Sequence, residues 1–211
     1  MRDPMDTAAL ITAFTTLFII IDPPGLAPLY IATTQGVPDA RRRAIGRRAC
    51  VVAGVLMLVF LALGERLLAF VGISIPAFRI AGGILLFLTA LDMLFERRQA
   101  RREHNAEDGV DPGHDPSVFP LAIPLIVGPG AITTIILFSG RAEGLADYAA
   151  IAGVIVANLL IVWLTFLAAP AIERALGRTG INVLTRILGM LLAALAMQFV
   201  IDGILTSGLV D

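Results

Sequence analysis

The sequence predicts an all-α membrane protein, with six transmembrane helices arranged as two inverted three-helix repeats and the first and fourth helices broken. Three observations carry this expectation: the composition, six apolar stretches separated by arginine-rich segments, and a Pro-Gly interruption that recurs in both halves. Of the 211 residues, 57% are hydrophobic and only 16% charged, against about 25% charged in an average soluble domain. Mean hydropathy is +0.87. A water-soluble fold of this length would carry large exposed apolar patches; a lipid bilayer covers them instead. The net charge of -1 gives no electrostatic footprint for nucleic acid. The single cysteine, Cys50, excludes an intramolecular disulfide and any CxxC metal motif.

Crossing ~30 Å of hydrocarbon takes ~20 mostly apolar residues. Six stretches qualify, at roughly residues 8–34, 49–71, 76–95, 118–139, 149–169 and 183–206. The first is expected to be retained: Arg2 is offset by Asp3 and Asp6, and the apolar run lacks a small-residue cleavage site. The loop after span 1 holds Arg41, Arg42, Arg43, Arg47 and Arg48. The loop after span 3 holds Arg97, Arg98, Arg101 and Arg102, and the loop after span 5 holds Arg174 and Arg178. With six spans all eleven arginines fall on one side, whereas the other side has Arg2, Arg66 and Arg141, with Arg79 near its edge. The positive-inside rule makes the arginine side cytoplasmic and places both termini outside.

Residues 1–95 form the first repeat, 96–117 a polar cytoplasmic linker and 118–211 the second repeat. The linker holds the only histidines, His104 and His114, without the spacing of a metal site. Two dissimilar motifs recur at nearly one offset. Pro24-Gly25 in span 1 matches Pro129-Gly130 in span 4, and Arg79-Ile80-Ala81-Gly82 in span 3 matches Arg186-Ile187-Leu188-Gly189 in span 6. Three spans per half make the second half enter from the opposite face, the inverted repeat found in many secondary transporters.

The interruptions carry the chemistry. Proline lacks an amide hydrogen and clashes with the preceding turn, so Asp22-Pro23-Pro24-Gly25-Leu26-Ala27-Pro28 should break span 1 near its middle. Gly128-Pro129-Gly130 repeats the device in span 4. Backbone freed at membrane depth is tolerated only where it is buried in protein or lines a wet cavity. Half-helix N-termini there can hold a carboxylate, and freed carbonyls a cation. Asp22, near the centre of span 1, should face the bundle interior. It reads either as a proton or cation coupling site or as an N-cap for the second half-helix. Thr15, Thr16, Thr133 and Thr134 flank the breaks, and Asn158 in span 5 is placed to bond a neighbouring helix or a substrate. Arg79 and Arg186, near the starts of spans 3 and 6, read as snorkelling residues or as gates on opposite faces. No HExxH, GxSxG, Walker or GxGxxG motif is present, so neither an enzyme nor an ATP-driven pump is expected, and no cofactor.

Three motifs together resemble the MarC family of bacterial and archaeal inner-membrane proteins: Asp22 to Pro28, Gly72-Ile73-Ser74-Ile75-Pro76-Ala77-Phe78-Arg79-Ile80-Ala81-Gly82-Gly83, and Ile123-Pro124-Leu125-Ile126-Val127-Gly128-Pro129-Gly130-Ala131-Ile132. The likeness covers nearly the whole chain. It implies a multi-pass plasma-membrane protein related to LysE-type exporters, some relatives being regarded as transporters of small neutral amino acids such as glycine and alanine. Many members carry Asn at the position of Asp22. The functional expectation is therefore a secondary transporter. Its substrate would bind at Pro24, Gly25, Gly128, Pro129, Gly130, Thr133 and Asn158, with Asp22 carrying a proton or sodium ion and Arg79 and Arg186 gating. The alternatives are a non-transporting assembly or regulatory protein, a passive channel, or an exporter of another small solute. Closely packing glycines permit a homo-oligomer.

Overall fold

The computed structural model describes residues 7–95 and 115–208. Every regular element among them is helical. Helix α1 (Thr7–Ile21) and helix α2 (Pro23–Thr33) are separated by the single residue Asp22. Helices α3 (Asp39–Val71) and α4 (Ile75–Leu94) follow; after the linker come a segment of wide π-type turns (Ser117–Ile126), helix α5 (Pro129–Ser139) and helix α6 (Leu145–Thr206). The linker expected at 96–117 falls mostly outside the described residues, as do His104 and His114.

Local signals explain most boundaries. The Ser74 hydroxyl accepts the Ala77 N–H at 3.3 Å and caps α4, with a proline in its first turn. Two expected loops are helical instead. Helix α3 starts at Asp39, about ten residues before the apolar run, so Arg41, Arg42, Arg43, Arg47 and Arg48 lie on a helix. Arginine and alanine are good helix formers, and Asp39 suits the first turn. The loop expected around Arg174 and Arg178 shrinks to one non-helical residue, Gly177, at φ 60° and ψ 175°. An unbroken 62-residue helix would be roughly 90 Å long, about three times the hydrocarbon thickness. Gly177 divides α6 into arms of residues 145–176 and 178–206, each still longer than a span requires. Span 4 also departs from expectation: before Gly128 it is not an α-helix, because Phe119 and Ile123 are extended.

Four helices among the described residues are long and apolar enough to cross a membrane: Thr7–Thr33, Asp39–Val71, Ile75–Leu94 and Leu145–Thr206. The bent pair Ser117–Ile126 and Pro129–Ser139 makes a fifth. Close glycine contacts set their directions. Gly83 packs on Ala196 and Val200, Gly189 on Ala90 and Met93, and Gly203 on Pro76 and Ile80, so α4 runs antiparallel to the 178–206 arm. A Cβ at Gly83 would stand 2.8 Å from the Ala196 carbonyl oxygen, which is why the backbones can approach this closely. Gly46 against Phe166 and Gly54 against Leu159 make α3 antiparallel to the 145–176 arm. Arg48 pairs with Asp115 near the start of α3, and Gly64 meets Ile136 towards its end, so α3 runs parallel to residues 115–139.

Broken spans occupy the centre. The apolar window of Thr7–Thr33 is 56% buried inside the protein, against 28% for α3 and 33% for α4 and for α6. Nearly all of α5 is buried as well. Helices α3 and α4 and the 145–176 arm turn Val51, Val55, Leu63, Ile84, Leu88, Val156 and Leu160 outward, the side chains lipid would cover.

Two helix breaks in the bundle core

Asp22 takes the left-handed conformation, φ 56° and ψ 64°, and is fully buried. Aspartate and asparagine are the non-glycine residues that tolerate this region best. The turn aims the side chain back along α2, where Oδ1 accepts the Gly25 N–H at 3.2 Å. Pro23 and Pro24 fill the first two helical positions, which have no amide to satisfy. Gly25 is required because any Cβ there would overlap Oδ2 of Asp22. From the 178–206 arm, the Thr185 hydroxyl donates to the same carboxylate, 3.3 Å from Oδ1 and 3.2 Å from Oδ2. The N-cap role foreseen for Asp22 is thus present, and the Gly25 amide is already engaged by it.

The second break has no such anion. Gly128 is extended at φ -87° and ψ 172° and offers no capping side chain; Pro129 opens α5, which bends 61° from the segment before it. The two breaks adjoin, since a Cβ at Gly130 would lie 3.2 Å from both Ile20 Cγ2 and Leu86 Cδ2. Among the described residues, the Thr16 hydroxyl of α1, the Thr134 hydroxyl of α5 and Asn158 Oδ1 of the 145–176 arm are buried without a hydrogen-bond partner. Thr16 is one turn before Ile20 and Thr134 one turn after Gly130. Because α1 and α5 run in opposite directions, that spacing stacks the two threonines beside the same contact. Asn158 reaches α1 through its amide, which donates to the Phe14 carbonyl at 3.5 Å and to the Val154 carbonyl at 3.0 Å. Buried polar atoms are nearly always satisfied, and these three find no hydrogen-bond partner among the described residues.

Other expected site residues distribute unevenly. Pro24 is half-buried at the first break, and Pro129 is exposed at the second. Thr133 is buried but packs its methyl group on Gly82 of α4; its neighbour Thr134 carries the orphan hydroxyl. Arg79 and Arg186 sit at opposite ends of the interface between α4 and the 178–206 arm. Arg79 stands near Arg141 and Asp202, which pair at 3.5 Å while Gln198 donates to Asp202 at 2.8 Å. Arg186 is exposed. Sequence reasoning missed Thr185; its signal is a hydroxyl immediately before the repeated Arg-Ile-x-Gly motif. At the arginine-rich end, burial pushes the Asp115 carboxyl up, but hydrogen bonds from Ser117 and the Arg48 guanidinium outweigh it and hold the group below the usual carboxylate range.

An all-helical bundle with lipid-facing flanks and two interrupted helices at its centre defines an integral membrane protein built around broken spans. The chain matches the family described as MarC family integral membrane protein over residues 7–207, and it belongs to that family. It is 37% identical over 200 residues to a UPF0056 membrane protein of Methanocaldococcus jannaschii, covering 95% of this chain and 98% of that one. A UPF0056 membrane protein of Archaeoglobus fulgidus is 39% identical over 195 residues, covering 91% and 90%. The UPF0056 membrane protein YhcE of Escherichia coli is 35% identical over 195 residues, covering 90% and 89%. No solved structure matches the chain at a significant level.

Proposed function

We propose that this protein is a secondary transporter of a small neutral amino acid, of glycine or alanine size, in the bacterial inner membrane. The carrying observation is the meeting of two interrupted spans in the core through Ile20 and Gly130, with a fully buried aspartate two residues beyond Ile20 and no side-chain cap at the start of α5. In this reading the substrate carboxylate occupies the amide end of α5 at Gly130, where the helix dipole favours an anion. Its ammonium meets Asn158 Oδ1, with the Thr134 hydroxyl beside it. Asp22 carries the coupling proton or cation, and Thr185 ties that event to the 178–206 arm. Both α6 arms count as spans, giving six in two inverted halves, with the arginine-rich end cytoplasmic and both termini outside. The alternation of helix directions supports that count. Arg79 and Arg186 then lie at opposite mouths of one packed interface, as gates would.

A second reading has its own support: the Gly25 amide and the Thr185 hydroxyl both bond to the Asp22 carboxylate, which suits a purely structural aspartate in a non-transporting assembly protein. Uptake of labelled glycine and alanine into proteoliposomes under an imposed proton or sodium gradient separates the two. Accumulation lost in a folded Asp22→Asn variant is expected for coupled transport. An Asp22→Asn variant that accumulates as well as the parent would remove Asp22 from coupling, and absence of uptake by the folded parent would refute the glycine and alanine assignment.

A further inference from the structure

Two cavities open side by side at the arginine-rich end, between the first turns of α3 and the 145–176 arm. The larger, about 400 Å³, is lined by Tyr30, Asp39, Arg42, Arg43, Phe166 and others. Its floor is a tight stack of Tyr30 on Phe166, with ring centroids 4.3 Å apart. Arg42 is committed there: its guanidinium lies 5.6 Å from the centre of the Tyr30 ring, and its carbonyl accepts the Tyr30 hydroxyl at 2.6 Å. The smaller cavity, about 180 Å³, is lined by Ala40, Arg43, Ala44, Arg47 and Trp163. Among the described residues, no acidic residue lines it. Among the described residues neither Arg43 nor Arg47 makes a hydrogen bond or ion pair, unlike Arg48, which holds Asp115 at 2.6 Å.

The surroundings point to the chemistry of the occupant. Residues 40, 43, 44 and 47 form one stripe of α3, and the same stripe continues one and two turns further as Val51 and Val55, 59% and 57% exposed. On the facing arm, Trp163 is continued by Leu160 and Val156, which lie on its face at helical spacing and are 51% and 59% exposed. Two guanidinium groups without a partner among the described residues therefore sit directly at the end of an outward-facing apolar track, with an indole at the boundary, the usual place for tryptophan in a membrane. A charge-only explanation, in which these arginines merely fix orientation, requires neither a cavity between them nor a track beneath them.

We infer that the smaller cavity binds the phosphodiester of an anionic phospholipid. Arg43 and Arg47 hold its oxygens as charge-assisted donors, and an acyl chain lies along Val51, Val55, Leu160 and Val156. The small side chains of Ala40 and Ala44 leave room for the headgroup. A basic pocket between transmembrane helices is the form such lipid sites take.

Trp163 is the only tryptophan in the chain, so its fluorescence reports on this pocket alone. The full-length protein is placed in phosphatidylcholine nanodiscs containing increasing mole fractions of either brominated phosphatidylglycerol or brominated phosphatidylcholine. Quenching by the anionic lipid is expected at roughly thirtyfold lower mole fraction, the size of effect two arginines near a charged surface produce. That preference should vanish in Arg43→Gln/Arg47→Gln and persist in Arg41→Gln/Arg178→Gln, which removes equal charge from the same end. Equal quenching by the two lipids in the parent overturns the proposal, and so does an equal loss of preference in both double variants. Added inorganic phosphate separates the sources of the ligand. Failure to relieve the quenching supports a lipid site, whereas displacement of the lipid at millimolar phosphate would reassign the pocket to a soluble anion.

Discussion

At the first break the chain supplies its own capping side chain, and at the second no side chain caps the helix start. Asp22 turns through the left-handed region and caps α2 with its own carboxylate, in a space that only Gly25 permits. Gly128 stays extended and has no side chain to cap with, so across a 61° bend the Ala131 and Ile132 amides of α5 bond only to its carbonyl. Both interruptions use proline at the start of the resumed helix, so the device is repeated while its electrostatics are not. The lesson is that a matched pair of broken helices need not make a symmetric site. One half caps its resumed helix with a carboxyl side chain, and the other leaves its first turn to the backbone carbonyl of Gly128.

Substitutions can break that contrast. The largest expected effect is at Gly25, where an alanine Cβ would overlap the Asp22 carboxylate and force the cap apart. Gly25→Ala should lose ~3 kcal/mol, the upper part of the range for overpacking. Gly128→Ala, whose Cβ would lie 3.2 Å from the Pro124 carbonyl oxygen, should lose well under half as much. Thermal unfolding in detergent compares them, and equal losses would mean the two breaks are built alike. Next comes Thr185. Thr185→Val strips a hydroxyl from a buried carboxylate and should cost about 2 kcal/mol, in the range for hydrogen bonds to charged groups. Thr185→Ser should retain most of that stability in the same melts.

Giving the second break the cap it lacks sharpens the comparison. Gly128→Ser should change stability by only a few tenths of a kcal/mol, as exchanges between glycine and serine at an N-cap do. It should nevertheless raise KM for amino-acid uptake, because its hydroxyl competes for the Gly130 amide. An unchanged KM would exclude the α5 start as the carboxylate site. The smallest effect lies far from both breaks. Asp115→Asn removes a largely exposed pair with Arg48 and should cost less than about 1 kcal/mol. Since the folded pKa of Asp115 is depressed, its contribution is fully present above the usual carboxylate value. It disappears as pH falls through the lower folded value. The gap between parent and variant melts should therefore close on acidification, and a gap that widens would contradict the depressed pKa.

Much of this was legible in the chain. Proline and glycine act on the backbone over one or two residues, so both breaks could be placed from Asp22-Pro23-Pro24-Gly25 and Gly128-Pro129-Gly130 alone. The N-cap alternative for Asp22 was equally local. Helix continuity was not legible from hydropathy. Arg41 to Arg48 and Arg174 to Arg178 are too charged for lipid yet helical in water, so the polar stretches read as loops proved to be helix apart from Gly177. Thr133 and Thr134 show a further limit, since adjacent residues of a helix point about 100° apart. Only the position of Gly82 assigns Thr133 to α4 and leaves Thr134 as the orphan.

By itself, the sequence determined that this protein lives in a bilayer, where its helices are interrupted, and which end carries the arginines. These depend on composition and on near-neighbour sterics. The tertiary structure alone decided that the two interruptions touch through Ile20 and Gly130, and that Thr185 reaches Asp22 across 163 residues of chain. It also decided that Trp163 stands beside Arg43 and Arg47. Such contacts arise from the packing of glycine-lined helices against one another, and no local pattern of residues encodes which distant turn will fill a given space.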